Sequence, residues 1–253
     1  NIKASVLYYL EIFKQKYVPV PKIKTTPVIK NLLVTGGCGF IGSNFINYFL
    51  EKNHNVRIIN IDAMYYCARR DNIKKEIQES DNYVFVKGNI CSADLVRHIL
   101  QSYAIDGVIH FAAQSHVQNS FEDSILYTND NILGTHVLFE EVRKYGKIQR
   151  FIHVSTDEVY GESMFGENEL RKTEQSVLCP TNPYAASKAA AESIVQSYIK
   201  SFKMPIIITR GNNVYGPNQY PEKVIPKFIQ QLRNGEKITI QGDGTCVRGF
   251  LYV

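Results

Sequence analysis

Tyr184 and Lys188 stand four residues apart in the run Pro183-Tyr-Ala-Ala-Ser-Lys188, which opens an alanine-rich stretch. In a helix this spacing puts the phenol and the ammonium on one face. A phenol is a poor base near neutral pH because its ordinary pKa is about 10. A neighbouring ammonium and a bound cationic nicotinamide both favour the phenolate, which would let Tyr184 take a proton from a substrate hydroxyl while the carbon beneath gives up a hydride. Upstream, the apolar run at 151–154 ends in Ser155-Thr156-Asp157-Glu158-Val159-Tyr160-Gly161. Ligands of open α/β sheets sit at the carboxyl ends of strands, so this polar cluster lies where chemistry is expected. Each feature also has a plainer reading. A Tyr-x-x-x-Lys spacing arises by chance on helices, and an acidic pair after a strand can serve only as a cap.

A dinucleotide needs a cradle, and Thr35-Gly36-Gly37-Cys38-Gly39-Phe40-Ile41-Gly42 directly follows the first apolar strand and opens an amphipathic helix. Gly36 would permit the tight turn, Gly39 the approach of backbone to the pyrophosphate, and Gly42 close helix–sheet packing. The helix N-terminus, at Phe40 and Ile41, would offer N–H groups and a positive dipole end to the phosphates. Asp62 ends the second apolar run about 20 residues after the third glycine, where a carboxylate accepts from the adenosine ribose hydroxyls. That predicts NAD as the cofactor in preference to NADP, whose 2′-phosphate Asp62 would repel. Ser43 occupies the place of the obligatory lysine of a nucleotide-hydrolysing P-loop, which excludes that reading.

Positioning these groups requires a particular framework. Short apolar runs at 32–34, 56–61, 84–86, 108–111, 151–154 and 206–208 alternate with longer helical segments. Such runs, without polar alternation, suit strands buried on both faces and joined by helical crossovers. The prediction is an α/β fold: a Rossmann-type doubly wound parallel sheet, with a smaller C-terminal substrate-binding domain. Residues 1–30, punctuated by Pro19, Pro21 and Pro27, read as a leader and linker. Residues 31–210 read as the dinucleotide-binding domain. From 211 the rhythm breaks, and a helix at 222–234 and a strand at 237–241 would begin the second domain, which reads as incomplete at Val253.

With 253 residues, 44% hydrophobic and 21% charged, the chain can bury a large core without staples. Its formal charge of +5 comes from cations scattered among acids, not from a basic stripe with interleaved aromatics, so no nucleic-acid partner is predicted. Cys38, Cys67, Cys91, Cys179 and Cys246 form no C-x-x-C or Cys/His cluster, so neither a disulfide framework nor a metal site is indicated. The apolar run at 6–10 is too short to span a bilayer. A cytoplasmic protein without a membrane partner is the expectation.

Six segments together are similar to the nucleotide-sugar 4,6-dehydratases of the extended short-chain dehydrogenase/reductase family. They are Gly36-Gly-Cys-Gly-Phe-Ile-Gly42, Phe111-Ala-Ala-Gln-Ser-His116, Ser155-Thr-Asp-Glu-Val-Tyr-Gly161, Pro183 to Lys188, Asn213-Val-Tyr-Gly-Pro217 and Pro221-Glu-Lys-Val-Ile-Pro226. The Thr-Asp-Glu triplet discriminates, because related 4-epimerases and decarboxylases resemble the rest but lack the acid pair. The resemblance implies dehydration of UDP- or dTDP-glucose to the 4-keto-6-deoxy sugar nucleotide, as in rhamnose and deoxysugar biosynthesis. It assigns Tyr184 as base for the C4 hydroxyl, Lys188 as its pKa partner, Thr156 as hydrogen-bonding support, Asp157 as general acid and Glu158 as general base. In a closed site two neighbouring carboxyls resist ionising together, which would keep one in the acid form.

The same resemblance places Asn89, Ile90, Ala112, Ala113 and Asn131 along the cofactor and the adjacent strand end. It places Ser115, Asn213, Lys223 and Arg248 at the nucleotide sugar, and it implies a homodimer through helices at about 123–145 and 184–202. The chain departs from the pattern at Asn89 and Gln118, where relatives usually carry Asp. The first departure weakens or rearranges a contact to the adenine, and the second puts the local sugar-pocket network in doubt. A 4-epimerase or decarboxylase of the same superfamily, or a non-catalytic NAD-binding module, remains the alternative.

Overall fold

The computed structural model describes residues 27–161, 172–239 and 249–253. Strands β1 (Asn31–Thr35), β2 (Arg57–Asp62), β3 (Tyr83–Lys87), β4 (Gly107–His110), β5 (Arg150–Thr156) and β6 (Ile206–Gly211) form one sheet. Its order is β3-β2-β1-β4-β5-β6. Every pairing in it is parallel, as the runs predict. Side chains alternate faces along a strand, so a sheet covered on both sides demands apolar residues at consecutive positions. Leu33, Ile59, Ile61, Val108 and Phe151 belong to one core cluster, while their chain neighbours Leu32, Val34 and Ile58 belong to the other.

Helices close both faces. The second cluster takes in Ile46 and Leu50 of α1 (Phe40–Lys52) and Ile77 of the short α2 (Lys75–Gln78). The first is built with α3 (Ala93–Ser102), α6 (Gly134–Tyr145) and α7 (Pro183–Phe202), whose Ile99, Phe139 and Val195 are all at most 1% exposed. Between α3 and α6 come the short α4 (Val117–Glu122) and α5 (Ser124–Tyr127), then a π-helical turn at Thr128–Leu133. The single helix expected at about 123–145 is therefore three consecutive helical segments.

Beyond β6 the chain forms β7 (Asn213–Tyr215), paired in parallel with β8 (Phe250–Tyr252), and α8 (Val224–Arg233). The expected helix starts two residues late. The strand expected at 237–241 is absent over 237–239, and its last two residues lie outside the described ones. Most of the leader, 1–26, also lies outside. What is described of it joins the sheet: the backbone N–H groups of Lys30 and Asn31 donate to the Asp106 carboxylate at 3.0–3.1 Å. Among the described residues no helix is long and apolar enough to cross a membrane.

Two histidines lie side by side in the sheet, His110 on β4 in register with His153 on β5, their rings 5.3 Å apart. The His110 ring pairs with the Thr35 and Thr135 hydroxyls at 2.6 and 3.0 Å. Both ring nitrogens of His153 lack a partner among the described residues. Burial, helped by the charge of Lys188, pushes His110 down to about 3 and His153 well below its ordinary value of 6.5. The unfolded chain binds protons that the folded one refuses, so the stability from neutral burial is complete above pH ~6.5 and is lost toward pH 3. Each such group contributes a slope of about 1.4 kcal/mol per pH unit in that window. Urea unfolding of His153→Phe should accordingly show a shallower fall in stability between pH 6.5 and 4 than the parent; parallel curves would contradict the burial argument.

Candidate active site

The carboxyl ends of β1 to β5 open into one cleft, lined by the loop after β1, Asp62, Gly88 to Ile90, Phe111 to Ser115, Val154, Ser155 and the α7 residues Tyr184 and Lys188. The glycine loop builds its floor for steric reasons that the geometry makes explicit. Gly36 adopts φ +71, and a Cβ there would stand 2.7 Å from the Ala112 backbone. A Cβ on Gly42 would come within 2.4 Å of the Gly36 carbonyl oxygen. Gly39 is the N-cap of α1 and supplies no side-chain cap, and the first turn of the helix contains no acid. The N–H groups at Phe40, Ile41 and Gly42 thus face the cleft with neither a capping oxygen nor a negative charge beside them, as an anionic pyrophosphate requires.

Asp62 is 7% exposed and accepts the N–H groups of Cys38 at 2.9 Å and Met64 at 2.8 Å, one on each oxygen. Burial holds its pKa above the ordinary value despite these bonds. A carboxylate oxygen has a second lone pair, so the ribose contact expected of Asp62 stays available. The residue also pins the glycine loop. Asn60, fully buried, does the same from one turn of the pleat away: its Oδ1 accepts Gly37 N–H at 3.0 Å, and its Nδ2 donates to the Tyr83 hydroxyl at 2.8 Å. Sequence reasoning missed Asn60, for which a polar residue inside an apolar run was the signal.

At the far end Ile90, Ala112 and Ala113 line the wall. The departure at Asn89 is accommodated by rearrangement: its Oδ1 accepts Cys91 N–H at 2.8 Å, and its Nδ2 donates to the Tyr65 hydroxyl at 3.1 Å and to Asp130 at 3.3 Å. Asn131 does not line the cleft. Its Oδ1 accepts Gln114 N–H at 2.7 Å and its Nδ2 donates to the Gln114 carbonyl at 3.0 Å and the Ser187 hydroxyl at 2.8 Å, so it ties the wall to α7 from behind. Both Asp130 and Asn131 are carried by the π-helical turn, a distortion that often marks a functional position.

At the other end of the cleft, β5 delivers Ser155 and Thr156 and runs into a 3₁₀ turn, Asp157–Tyr160. Ser155 lines the cleft, and its buried hydroxyl has no partner among the described residues. Thr156 gathers the acid turn. Its hydroxyl oxygen accepts Glu158 N–H at 3.2 Å and lies 3.3 Å from Asp157 Oδ1. Thr156, Asp157 and Glu158 are not part of the cleft lining, but the two acids are near enough for their charges to act on Tyr184, which is. Asn182, also missed from sequence, caps α7 and donates to Glu158 Oε2 at 3.2 Å.

Lys188 shares the helical face of Tyr184, as the spacing predicts, and its ammonium donates to the Val154 carbonyl of β5 at 2.8 Å. Burial lowers its pKa to about 8, against the charge of Glu192. Burial raises Tyr184, and the charges of Glu158 and Asp157 raise it further. The protein's own groups therefore keep Tyr184 a neutral phenol, and added positive charge is needed for it to act as a base. Behind the helix the fully buried Glu192 pairs with Arg210 of β6 at 2.6 Å, and Arg210 also donates to the Tyr160 hydroxyl at 2.6 Å. This ion pair joins β6, α7 and the acid turn.

Of the residues expected at the sugar, Ser115 and Lys223 come together: the half-buried ammonium, its pKa lowered by partial burial, donates to the Ser115 carbonyl at 3.1 Å. Asn213 stands on β7, outside the cleft lining, and Arg248 lies outside the described residues. Gln118 is exposed on α4. Instead Glu222 closes the mouth, accepting from the Tyr66 hydroxyl at 2.9 Å and standing 3.9 Å from His116 Nε2.

Comparison with known proteins places this cleft in context. The family model described as GDP-mannose 4,6 dehydratase matches residues 33–253. The dTDP-D-glucose 4,6-dehydratase of Dictyostelium discoideum is 50% identical over 232 residues, covering 89% of this chain and 53% of the relative. The trifunctional UDP-glucose 4,6-dehydratase/UDP-4-keto-6-deoxy-D-glucose 3,5-epimerase/UDP-4-keto-L-rhamnose-reductase of Arabidopsis thaliana is 51% identical over 224 residues, 88% of this chain and 33% of the relative. The chain thus spans about half the length of the first relative and about a third of the second. The crystal structure of the Bacillus anthracis dTDP-glucose 4,6-dehydratase in complex with NAD superposes with a TM-score of 0.80 at 42% identity, covering 88% of this chain and 67% of that one. A match extending from the middle of β1 to Val253 shows that the chain belongs to the GDP-mannose 4,6 dehydratase family.

Proposed function

We propose that this chain carries the NAD-binding and catalytic part of a nucleotide-sugar 4,6-dehydratase, a hydro-lyase that converts UDP- or dTDP-glucose to the 4-keto-6-deoxy sugar nucleotide. One observation carries the reading: Thr156 holds the Asp157–Glu158 turn at the end of β5, and Asn182 ties that turn to the first turn of the helix bearing Tyr184, beside the glycine cradle. A simple oxidoreductase or epimerase needs the phenol but has no use for two carboxyls next to it. The relatives named above support the reading, since each is a 4,6-dehydratase by name. We further propose that the protein works as a homodimer joined through α5 to α6 and α7.

The cradle fits NAD: uncapped N–H groups and a positive dipole end for the pyrophosphate, and a buried Asp62 carboxylate for the ribose hydroxyls, which would repel a 2′-phosphate. When bound, NAD supplies the acceptor for the hydride leaving C4, a positive ring charge, and the return of that hydride to C6. Tyr184 takes the proton of the C4 hydroxyl. Lys188, still charged near pH 7 with its pKa at about 8, stabilises the resulting phenolate from the same helical face. A ketone at C4 acidifies the C5 hydrogen, so Glu158 removes that proton and Asp157 donates one to the departing C6 hydroxyl, which leaves as water; protonated Glu158 then returns a proton to C5 as C6 is reduced. Ser155 and Lys223 line the space the sugar would fill.

Three outcomes follow. Incubation of the intact protein with NAD and each sugar nucleotide should yield a 4-keto-6-deoxy product from UDP-glucose or dTDP-glucose, seen by mass spectrometry as loss of water; a 4-epimer or a pentose product would contradict the reading. In Glu158→Gln, oxidation at C4 should persist while loss of the C5 proton stops, so a parental rate of product formation would remove Glu158 from its role. Gly36→Ala places a Cβ against the Ala112 backbone at φ +71. A strain of roughly 1–3 kcal/mol there should weaken NAD binding by about tenfold or more, measured by fluorescence titration; unchanged affinity would show that the cradle is not the dinucleotide site.

A further inference from the structure

We infer that Asn182 is the positioning residue for Glu158, holding that carboxylate in register with the helix that carries Tyr184 and Lys188; the inference rests on the dehydratase reading above. The Asn182 side chain uses both ends of one planar amide. Its Oδ1 accepts the Ala185 N–H at 2.8 Å and caps α7, while its Nδ2 donates to Glu158 Oε2 at 3.2 Å. Among the described residues this is the only hydrogen bond made to the Glu158 carboxylate.

Helix capping alone does not call for asparagine. Ser, Thr and Asp cap about as well, because each offers an oxygen to the first-turn N–H groups. Of these residues only Asn can also donate from a second atom of the same rigid group. The donated bond separates the two acids chemically. An amide nitrogen can only donate, so Glu158 is held as an acceptor, the role of a base. Asp157 lies instead against the Thr156 hydroxyl at 3.3 Å, and a hydroxyl can turn to accept from a protonated acid. Asn182 is half-buried beneath the acid turn, and Pro183 at the first helical position fixes the direction in which the chain enters the helix. The base and the phenol are thereby registered through one side chain.

Asn182→Asp and Asn182→Ser both keep the cap and remove the donor, and the first also adds a like charge beside Glu158. In the intact protein loaded with NAD, both variants should melt within a few degrees of the parent. Their kcat should fall by about tenfold to a hundredfold, the range a misplaced catalytic group produces, with KM little changed and Asp losing more than Ser. Solvent hydrogen incorporation at C5 should slow in step, while C4 oxidation, followed by the absorbance of the reduced dinucleotide, proceeds at the parental rate. A parental kcat in Asn182→Asp overturns the inference. So does a loss shared equally by C4 oxidation, or one matched by a fall in Tm in both variants, since either outcome assigns Asn182 to the cap alone. Failure of the dehydratase reading has a separate signature: the parent itself then gives no keto-deoxy product, and the inference falls with it.

Discussion

The bond from the Lys188 ammonium to the Val154 carbonyl holds α7 against the carboxyl end of β5, and the chemistry depends on that clamp. An ammonium 5% exposed pays a desolvation cost, visible in its pKa of about 8. A charge-assisted hydrogen bond contributes about 1.5–3 kcal/mol against that cost, and the charge of Glu192 on the same helix contributes further. The sheet fixes where the strand end lies, the clamp fixes the helix on it, and the i, i+4 spacing then fixes where Tyr184 points. Glu192 and Arg210 secure the same helix from its other side. Rigid elements assembled in this way hold a phenol beside the dinucleotide cradle, with the two carboxyls on the adjoining turn.

What the sequence made legible were the features whose constraint is local. Gly36 and Gly42 announce themselves because any Cβ collides with backbone a few residues away or across one strand. Strands buried on both faces show as unbroken apolar runs, since Leu32 and Leu33 face opposite layers and both must be apolar. Tyr184 and Lys188 share a face at a spacing any helix would impose. Asp62 follows from the length of one βα unit.

The remaining features depend on contacts between distant segments. Asn60 looks like an ordinary polar residue until the fold wraps the glycine loop around it. The tie from Asn182 to Glu158 spans 24 positions in sequence, and nothing in the run Thr181-Asn-Pro183 signals more than a cap. Asn213 stands outside the cleft lining and Asn131 supports the wall from behind, so motif position alone did not give the depth at which each side chain sits. Tyr184 shows the limit of motif reading in electrostatic terms, because burial and two carboxyls raise its pKa, an effect of the surroundings that the spacing to Lys188 does not reveal.

The central claim is that one hexose loses and regains the same hydride in one closed site, with the acid pair removing water between the two events. Sugar nucleotide carrying deuterium at the glucosyl C4, mixed with an equal amount of unlabelled substrate, tests it directly. The account predicts that the deuterium appears on the C6 methyl of the molecule that carried it, without crossover to the unlabelled pool. Label released to solvent, or shared between the two pools, would contradict it.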